Sequence, residues 1–312
     1  MRSFYDSIFF NVPPLRFPEF NGEWEKCTIK DYGEVVTGNT PPTSNSEYYD
    51  NGSYLWASPA DLGISKNITE TKTKLSLSGF RKTRNIPKGS VLITCIGSTI
   101  GKMGMATETM SSNQQINSIV INDKSDSDFV YYAISRAFPR YLSEVGIQAV
   151  PILSKSNFEK LPNYTTCREE QDKIGYFLNL LDERIATQNK IIDKLQSLIK
   201  GIRVCCMQRV YGNNVHLSEI AQIYQPQTIS STELTEDGFL VYGANGIIGK
   251  YKDYNHETEQ ICITCRGNTC GMVNYTKPMS WITGNAMVIN TDKYQDKVCK
   301  RYLYHYLSGY NF

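Results

Sequence analysis

A lysine and two glycines in the segment GSTIGKM, residues 97–103, are the first residues whose types suggest chemistry, since such loops can hold phosphate groups. A phosphate-binding P-loop has four residues between its glycines and a Ser or Thr after its lysine. Here three residues separate Gly97 from Gly101, and Met103 follows Lys102. The spacing therefore speaks against nucleotide binding and favours a turn that presents backbone and small polar side chains.

Cysteines could supply metal-binding or redox chemistry. The nine cysteines are Cys27, Cys95, Cys167, Cys205, Cys206, Cys262, Cys265, Cys270 and Cys299. Cys262 and Cys265 form a C-x-x-C motif with Cys270 nearby, but a zinc site of this type needs a second ligand pair at suitable spacing, and none is evident. Their number is odd, which also speaks against a disulfide framework. We predict reduced thiols throughout the chain and buried ones at Cys262, Cys265 and Cys270.

Acid–base catalysis has few candidates. The histidines His216, His256 and His305 are not paired in sequence with an obvious nucleophile or acidic partner. The string Asn11-Val12-Pro13-Pro14 approaches the NPPY tetrad of amino-methyltransferases, but Val12 and Leu15 depart from it and no Gly-rich cofactor loop precedes it. We interpret it as part of an N-terminal arm and expect no catalytic residue and no metal ligand in this chain.

Length and composition fit a soluble protein of more than one domain. A chain of 312 residues predicts two compact units, at roughly 150 residues per domain. Hydrophobic residues make up 40% of it, yet no apolar run approaches the ~18 residues of a membrane span, and no export signal is visible. We expect a cytoplasmic protein with no membrane partner. A net charge of +2 permits nucleic-acid binding without arguing for it.

An internal repeat supports two units. VLITCIGSTIGKMGM (Val91 to Met105) aligns with ICITCRGNTCGM (Ile261 to Met272) at an offset of 170 residues. Identical positions include Thr94, Cys95, Gly97, Thr99 and Gly101, matched by Thr264, Cys265, Gly267, Thr269 and Gly271. Each copy has short β-branched strands broken by Gly, Asn and Pro, followed by an aromatic-rich helix. Two homologous mixed α/β domains are therefore expected.

Between the copies, the run from Glu169 to Ile202 predicts one long helix, because it lacks proline and is rich in strong helix formers. Its seam positions alternate in steps of four and three, the spacing of a coiled coil, with one polar member that would fix register. They are Ile174, Leu178, Leu181, Ile185, Gln188, Ile192, Leu195, Ile199 and Ile202. Such a stripe needs a partner helix from this chain or another, or else burial against its own domain.

With these elements, the chain resembles the specificity subunit of type I restriction-modification systems over nearly its whole length. The stretches that carry the resemblance are PPLRFPEFNGEWE (Pro13 to Glu25), GNTPPT (Gly38 to Thr43), LSKSNFEKLP (Leu153 to Pro162) and the helical run Arg168 to Ile202. The resemblance implies an α+β fold with two homologous target recognition domains, mixed α/β, joined by a long coiled-coil spacer helix. Each domain would read half of a split site.

The resemblance also implies domain limits and partners. It places an N-terminal arm at 1–20, a first recognition domain at 21–166, the spacer helix at 167–210 and a second recognition domain at 211–312. The implied partners are double-stranded DNA, two methyltransferase subunits and ATP-driven restriction/translocase subunits. S-adenosylmethionine, ATP and Mg would be bound by those partner subunits, and this chain would bind no cofactor.

The C-terminus departs from the family pattern. By the repeat offset, the equivalents of roughly Arg140 to Tyr211 are absent after Phe312, so we expect the second domain to be incomplete and the chain to be a C-terminally truncated or rearranged form. A second copy of this chain or a separate fragment would then supply the missing helix. A scaffold or decoy that binds methyltransferase subunits without productive DNA recognition remains the alternative, and an enzyme fused to recognition domains is a third.

If the loops of this chain contact DNA bases, the contacting residues should be polar, because Asn, Gln, Arg, Lys, Ser and Thr match the groups that bases expose in the major groove. In the first domain the candidates are Asn39, Thr40, Ser58, Asp61, Ser98, Thr99, Lys102, Asn113, Gln114, Gln115 and Gln148. In the second they are Asn245, Lys250, Arg266, Asn268, Thr269 and Asn285. The structural alternative is that many of these side chains stabilise turns.

Overall fold

The chain divides into two compact units. The computed structural model describes residues 15–145, 152–208, 212–244 and 246–309. Contacts group the chain into a first unit, Met1–Thr187, and a second unit, Gln188–Phe312. The boundary between them falls inside the longest helix, Arg168–Gln208. No helix within the described ranges is both long and apolar enough to cross a membrane.

The first unit is built mainly from short strands. Its strands are β1 (Glu25–Thr28), β2 (Gly33–Thr37), β3 (Tyr54–Ala57), β4 (Asn67–Ile68), β5 (Thr73–Leu75), β6 (Asn85–Ile86), β7 (Val91–Thr94), β8 (Met103–Ala106), β9 (Met110–Ser112), β10 (Ile116–Ile121) and β11 (Pro162–Thr165). Its helices are α1 (Ile29–Tyr32), α2 (Leu77–Phe80), α3 (Ser127–Val145), α4 (Lys155–Glu159) and the first part of α5 (Arg168–Gln208), with a 3-10 helix at Ser46–Tyr48.

Three sheets organise these strands. The largest has the order β2-β10-β7-β8-β4, a second has the order β5-β3-β9-β6, and β1 pairs with β11. β7 and β10 are rich in β-branched residues and lie inside the first sheet, where Ile119 pairs with Val91 and both are fully buried. The two central strands therefore carry the core of the unit.

Helix α3 covers one face of the large sheet. It begins after Asp126, whose carboxylate accepts a hydrogen bond of 2.7 Å from the backbone N–H of Phe129, as an N-cap does. Phe129, Ile134 and Phe138 on α3 are buried against Ile93 and Met103 of the sheet. A second cluster, which includes Leu92 and Ile116, fills the opposite side.

The second unit repeats this architecture. Its strands are β12 (Gln222–Tyr224), β13 (Phe239–Gly243), β14 (Gly246–Tyr251), β15 (Ile261–Thr264), β16 (Val273–Tyr275), β17 (Trp281–Ile282) and β18 (Ala286–Asn290). Its short helices are α6 (Leu217–Ile220) and α7 (Lys300–Leu307), with 3-10 helices at Ser231–Glu233 and Asp292–Tyr294. The order β12-β18-β15-β16 reproduces β2-β10-β7-β8, and β14-β13-β17 reproduces β5-β3-β9 with the same mix of antiparallel and parallel pairs. The predicted duplication is confirmed.

Helix α5 has an anchored beginning and a long exposed remainder. It runs from Arg168 to Gln208, longer at both ends than the predicted Glu169 to Ile202. Gly175 approaches α3 so closely that a Cβ there would lie 2.3 Å from the Asp126 carboxylate. From Leu180 to Cys206 all side chains are exposed except that of Arg203, which is half-buried. Burial of the helix against its own domain, the alternative raised from sequence, therefore holds only for its first turns.

The described part of the N-terminal arm lies along these first turns of α5. Arg16 donates two hydrogen bonds to the fully buried Glu170, at 2.6 and 2.7 Å. Burial opposes ionisation of this carboxyl, but the hydrogen bonds from Arg16 and Thr166 outweigh it and hold the pKa of Glu170 below its ordinary value. The Phe17 ring meets that of Phe177 edge-on at 6.0 Å. Residues 11–14, the methyltransferase-like string, lie outside the described residues.

Candidate nucleic-acid interface

The glycine-containing loop has the same backbone conformation in both units. Gly97 and Gly101 have φ of +95° and +89°, and Gly267 and Gly271 have +84° and +87°, in the left-handed region that glycine enters without strain. Five backbone hydrogen bonds donated by residues 94–102 recur at residues 264–272, among them Gly101 N–H to Thr94 O and Gly271 N–H to Thr264 O, both 2.9 Å. The repeated residues therefore specify a shared turn.

Sheet topology places several loops at one end of each unit. Because β2, β10 and β7 are antiparallel neighbours, the end of β2, the start of β10 and the end of β7 lie at the same edge of the sheet. We call the loops gathered there the loop edge. In the first unit the loop edge comprises residues 38–43, 95–102 and 113–115, and in the second 225–230, 265–272 and 283–285.

Hydrogen bonds hold the loop edge of the first unit together. The Thr40 hydroxyl donates to the Gln114 side-chain oxygen at 2.5 Å, and the Asn39 N–H donates to Ser112 O at 2.9 Å. The Cys95 N–H donates to Gln115 O at 2.7 Å, which joins the glycine loop to the same cluster. The structure thus brings together the predicted residues Asn39, Thr40, Ser98, Thr99, Lys102, Asn113, Gln114 and Gln115.

Three of the predicted side chains are engaged in building turns. The Asp61 carboxylate, 9% exposed, accepts hydrogen bonds from the Ser58 N–H, the Ser58 hydroxyl and the Lys72 N–H at 2.6–2.8 Å. The side-chain amide of Asn39 accepts a hydrogen bond from the backbone N–H of Arg84 and donates one to the backbone carbonyl of Lys82. Asp61, Ser58 and Asn39 therefore stabilise turns, the structural role weighed for them from sequence.

Other predicted residues are exposed or half-buried at the same edge. Ser98, Lys102 and Gln114 are exposed, while Thr99 and Gln115 are half-buried. In the second unit Arg266, Asn268 and Asn285 are exposed, and Thr269 is half-buried. Their donor and acceptor groups suit base edges and phosphates alike.

One predicted residue lies elsewhere, and two lie outside the described residues. Lys250 pairs with Leu240 near the start of β13, at the end of the hairpin away from the loop edge, and its ammonium lies 3.5 Å from Asp237. Its position follows from strand register, which sequence inspection did not supply. Gln148 and Asn245 lie outside the described residues.

Sequence reasoning missed a basic run at the loop edge of the first unit. Arg81, Lys82 and Arg84 are exposed, and the Arg84 guanidinium donates to Thr37 O at 2.9 Å. This contact places the run beside the end of β2. The signal was present as RKTR, residues 81–84, a local cluster in a chain of nearly neutral net charge.

A glutamine-containing loop was also missed in the second unit. Gln225 and Gln227 are exposed in the segment that follows β12, as GNTPPT follows β2 in the first unit. The Ile229 N–H donates to the Thr283 hydroxyl at 3.4 Å, so this segment adjoins residues 283–285. Because the sequences of the two loops differ, only the topological equivalence of β12 and β2 identifies this loop.

The cysteines divide by position. Cys95 and Cys262 are buried in equivalent sheets, and burial raises the pKa of each thiol to about 12. Cys265 is half-buried, and the prediction of a buried thiol is wrong for Cys270, which is exposed because it lies at the tip of the loop between Gly267 and Gly271. Within the described ranges no three His, Cys, Asp or Glu side chains come together as metal ligands.

Helix α5 presents a second surface of functional interest. Ile174 packs against the core of the first unit, and Leu178 is half-buried. The remaining predicted seam positions are exposed: Leu181, Ile185, Gln188, Ile192, Leu195, Ile199 and Ile202. Ile191 and Leu198 widen the apolar stripe beyond the two positions per heptad of a simple coiled-coil seam. This face suits packing against more than one helix.

These features define a two-domain mixed α/β protein with a duplicated polar loop edge and a long helix. The model of the family described as type I restriction modification DNA specificity domain matches residues 21–197 and again 213–311. The chain belongs to this family. The family resemblance and the fold predicted from sequence, with two homologous domains and a long helix, are both confirmed.

Individual relatives agree with this assignment. The chain is 28% identical over 186 residues to the specificity subunit of type I restriction enzyme HindI from Haemophilus influenzae, covering 56% of this chain and 40% of that one. It is 32% identical over 188 residues to the MjaIX specificity subunit from Methanocaldococcus jannaschii, covering 55% and 42%. The aligned segments thus span less than half the length of these two relatives.

Solved structures share the fold. The S subunit of a type I restriction-modification system from M. genitalium superposes with a TM-score of 0.67 at 19% identity, covering 92% of this chain and 77% of that one. At that identity the likeness concerns the fold alone. It extends across both units, in accord with the two family matches.

Proposed function

We propose that this chain is the DNA-reading subunit of a type I restriction-modification complex, in which each unit contacts one half of a split site through its loop edge. The chain would supply recognition, while methylation and cleavage would be carried out by partner subunits. The observation that carries the proposal is the duplicated loop edge, with the same turn and the same topology at an offset of 170 residues.

The chemistry of the loop edge supports DNA as the ligand. Arg266 offers a planar guanidinium that can donate two hydrogen bonds to guanine O6 and N7. Gln114 and Asn285 carry amides that pair with adenine in the same groove. The basic run 81–84 suits phosphate contacts, which position the protein without reading sequence.

Helix α5 supports the assembly part of the proposal. Its exposed apolar face would be covered by methyltransferase subunits, by a second copy of this chain or by a fragment that supplies a partner helix, since such a stripe is unfavourable in water. Restriction/translocase subunits would join through the methyltransferase. S-adenosylmethionine, ATP and Mg would be bound by those enzymes, and the complex would act on DNA in the cytoplasm.

The test is methylome sequencing of cells that express this chain with a type I methyltransferase subunit encoded beside its gene, compared with cells that lack the chain. The proposal predicts a new split motif with two unlike halves. A palindromic split motif would mean that a dimer reads with one unit only. Absence of new methylation, with chain and methyltransferase co-purifying, would support the scaffold or decoy alternative and contradict DNA reading.

A further inference from the structure

Lys66 is a largely buried cation of the first unit that lies outside the loop edge. It directly precedes β4, and its carbonyl accepts a hydrogen bond of 2.7 Å from the Met105 N–H. Only 9% of its side chain is exposed. Its ammonium lies 2.5 Å from the Asp128 carboxylate and 3.0 Å from the Asn179 side-chain oxygen. One side chain thereby joins the sheet to both α3 and α5.

Tyr132 completes this cluster. Its hydroxyl accepts from the Lys66 ammonium at 3.0 Å and donates to the Asp182 carboxylate at 2.7 Å. The ammonium also lies 4.3 Å from the centre of the Tyr132 ring and 5.4 Å from that of Tyr131. All three donors of the lysine therefore have partners. We call Lys66, Asp128, Tyr132, Asn179 and Asp182 the Lys66 cluster.

A buried cation adds little to the free energy of unfolding, because the loss of its hydration opposes the attraction of its partners. Replacing buried ion pairs with apolar residues is often neutral for stability. Where such groups contribute most clearly, they select one arrangement of packed elements over others. In the Lys66 cluster the elements so arranged are α5 and the sheet that ends in the loop edge.

The position of the cluster along α5 makes it an orienting contact. The other anchors of the helix, Glu170, Gln171 and Gly175, lie in its first two turns. Asn179 and Asp182 lie farther on, next to the exposed remainder of the helix. From residue 183 to its end at residue 208 the helix is about 39 Å long at 1.5 Å per residue. A change of only about 5° in helix direction moves its far end by roughly 3.4 Å, the rise of one base pair.

We propose that the Lys66 cluster is a specificity-determining positioning site, which fixes the direction of α5 on the first unit and thereby the number of base pairs between the two half-sites. The proposal rests on the proposed function, since it concerns the gap of the split motif. It does not concern which bases each unit reads.

The experiment compares methylomes produced by the wild-type chain, Lys66→Met and Tyr132→Phe with the same methyltransferase subunit. Met fills the lysine site without the charge, and Phe keeps the ring without the hydroxyl bridge. Both variants are expected to keep the two half-site sequences. Methylation at gaps one base pair longer or shorter should rise about tenfold relative to the native gap, more in Lys66→Met than in Tyr132→Phe.

A matched control is Lys74→Met, which removes another lysine of the same unit, paired with Glu70 at 2.8 Å. Lys74 is half-buried and lies outside the Lys66 cluster, so this variant should leave the gap unchanged. Circular dichroism and thermal unfolding establish that each variant is folded. If Lys66→Met does not fold, Tyr132→Phe and Asp182→Asn decide the question.

The outcomes separate the two proposals. If the wild-type chain directs no split motif, the proposed function fails. Suppose that the wild-type chain directs a split motif. The positioning role is then overturned if the folded cluster variants methylate only at the native gap, or if they lose methylation equally at every gap. Methylation at gaps of more than one length, with unchanged half-site sequences, supports the positioning role.

Discussion

The two units share a loop edge but differ in how their peripheries are packed. In the first unit Ile29 and Tyr32 of α1 are fully buried, because β11 and α4 cover them and Tyr32 donates to Tyr164 O at 2.7 Å. In the second unit the corresponding Leu217 and Ile220 of α6 are half-buried among the described residues. The glycine turn is nevertheless the same. Loop geometry therefore depends on the central strands, and the periphery contributes stability.

The largest predicted effect is on core residues of each unit. Phe158→Ala removes a fully buried ring from the first unit and should lower its free energy of unfolding by about 3–5 kcal/mol. Leu303→Ala in the second unit should cost about 2–5 kcal/mol. Hydrogen exchange resolved by residue would show which amides lose protection. Each change is expected to affect its own unit; equal loss of protection in both would contradict separate cores.

Glycine replacements sharpen the comparison of the two loops. At Gly101 a Cβ would lie 2.7 Å from Phe138 Cδ1, and φ is +89°, so Gly101→Ala adds overpacking to backbone strain. At Gly267 a Cβ meets nothing within 4 Å, so only the strain remains. We expect losses of roughly 2–5 kcal/mol for Gly101→Ala and roughly 1–2 kcal/mol for Gly267→Ala. Denaturant unfolding measures both; an equal cost would mean that Phe138 moves aside freely.

A smaller effect of pH near neutrality should appear in the second unit, which holds all three histidines of the chain. Burial lowers the pKa of His256, whose ring nitrogens lie 2.8 Å from the Tyr224 hydroxyl and 2.6 Å from the Asn255 side-chain oxygen. Because its pKa is lower in the folded state, His256 binds a proton more readily in the unfolded state. The stability from His256 is present above pH 6.5, the ordinary histidine value, and is lost as pH falls below it.

The measurement is thermal unfolding of the chain and of His256→Gln at pH 7.5 and 5.5. The wild-type second unit should lose stability at the lower pH, and the variant should lose less. The same loss in both proteins would assign the pH dependence to another group.

Sequence reasoning succeeded where local pattern and backbone geometry coincide. The repeat identified Gly97, Gly101 and their copies because a left-handed turn demands glycine in both units. The seam spacing identified α5 because period and composition agree over many turns. Both are properties of short segments, so they can be read without knowledge of which strands are neighbours.

Sequence reasoning failed where the role of a residue depends on contacts with residues far away in the sequence. Arg84 reaches the loop edge through Asn39 and Thr37, more than forty residues away in sequence. Lys250 was misplaced because only strand register shows which end of the hairpin it occupies. Lys66 gave no signal at all, since its partners come from α3 and α5. Such contacts are set by the tertiary fold.

The central claim, that the two loop edges read separate half-sites, is tested most directly by methylome sequencing of Arg266→Ala and Gln114→Ala, one variant for each unit. The account predicts that Arg266→Ala relaxes one base position by about 1–3 kcal/mol in one half-site and leaves the other half intact. Gln114→Ala should relax only the opposite half. Relaxation of the same half-site by both variants, or a uniform loss at every position, would contradict the account.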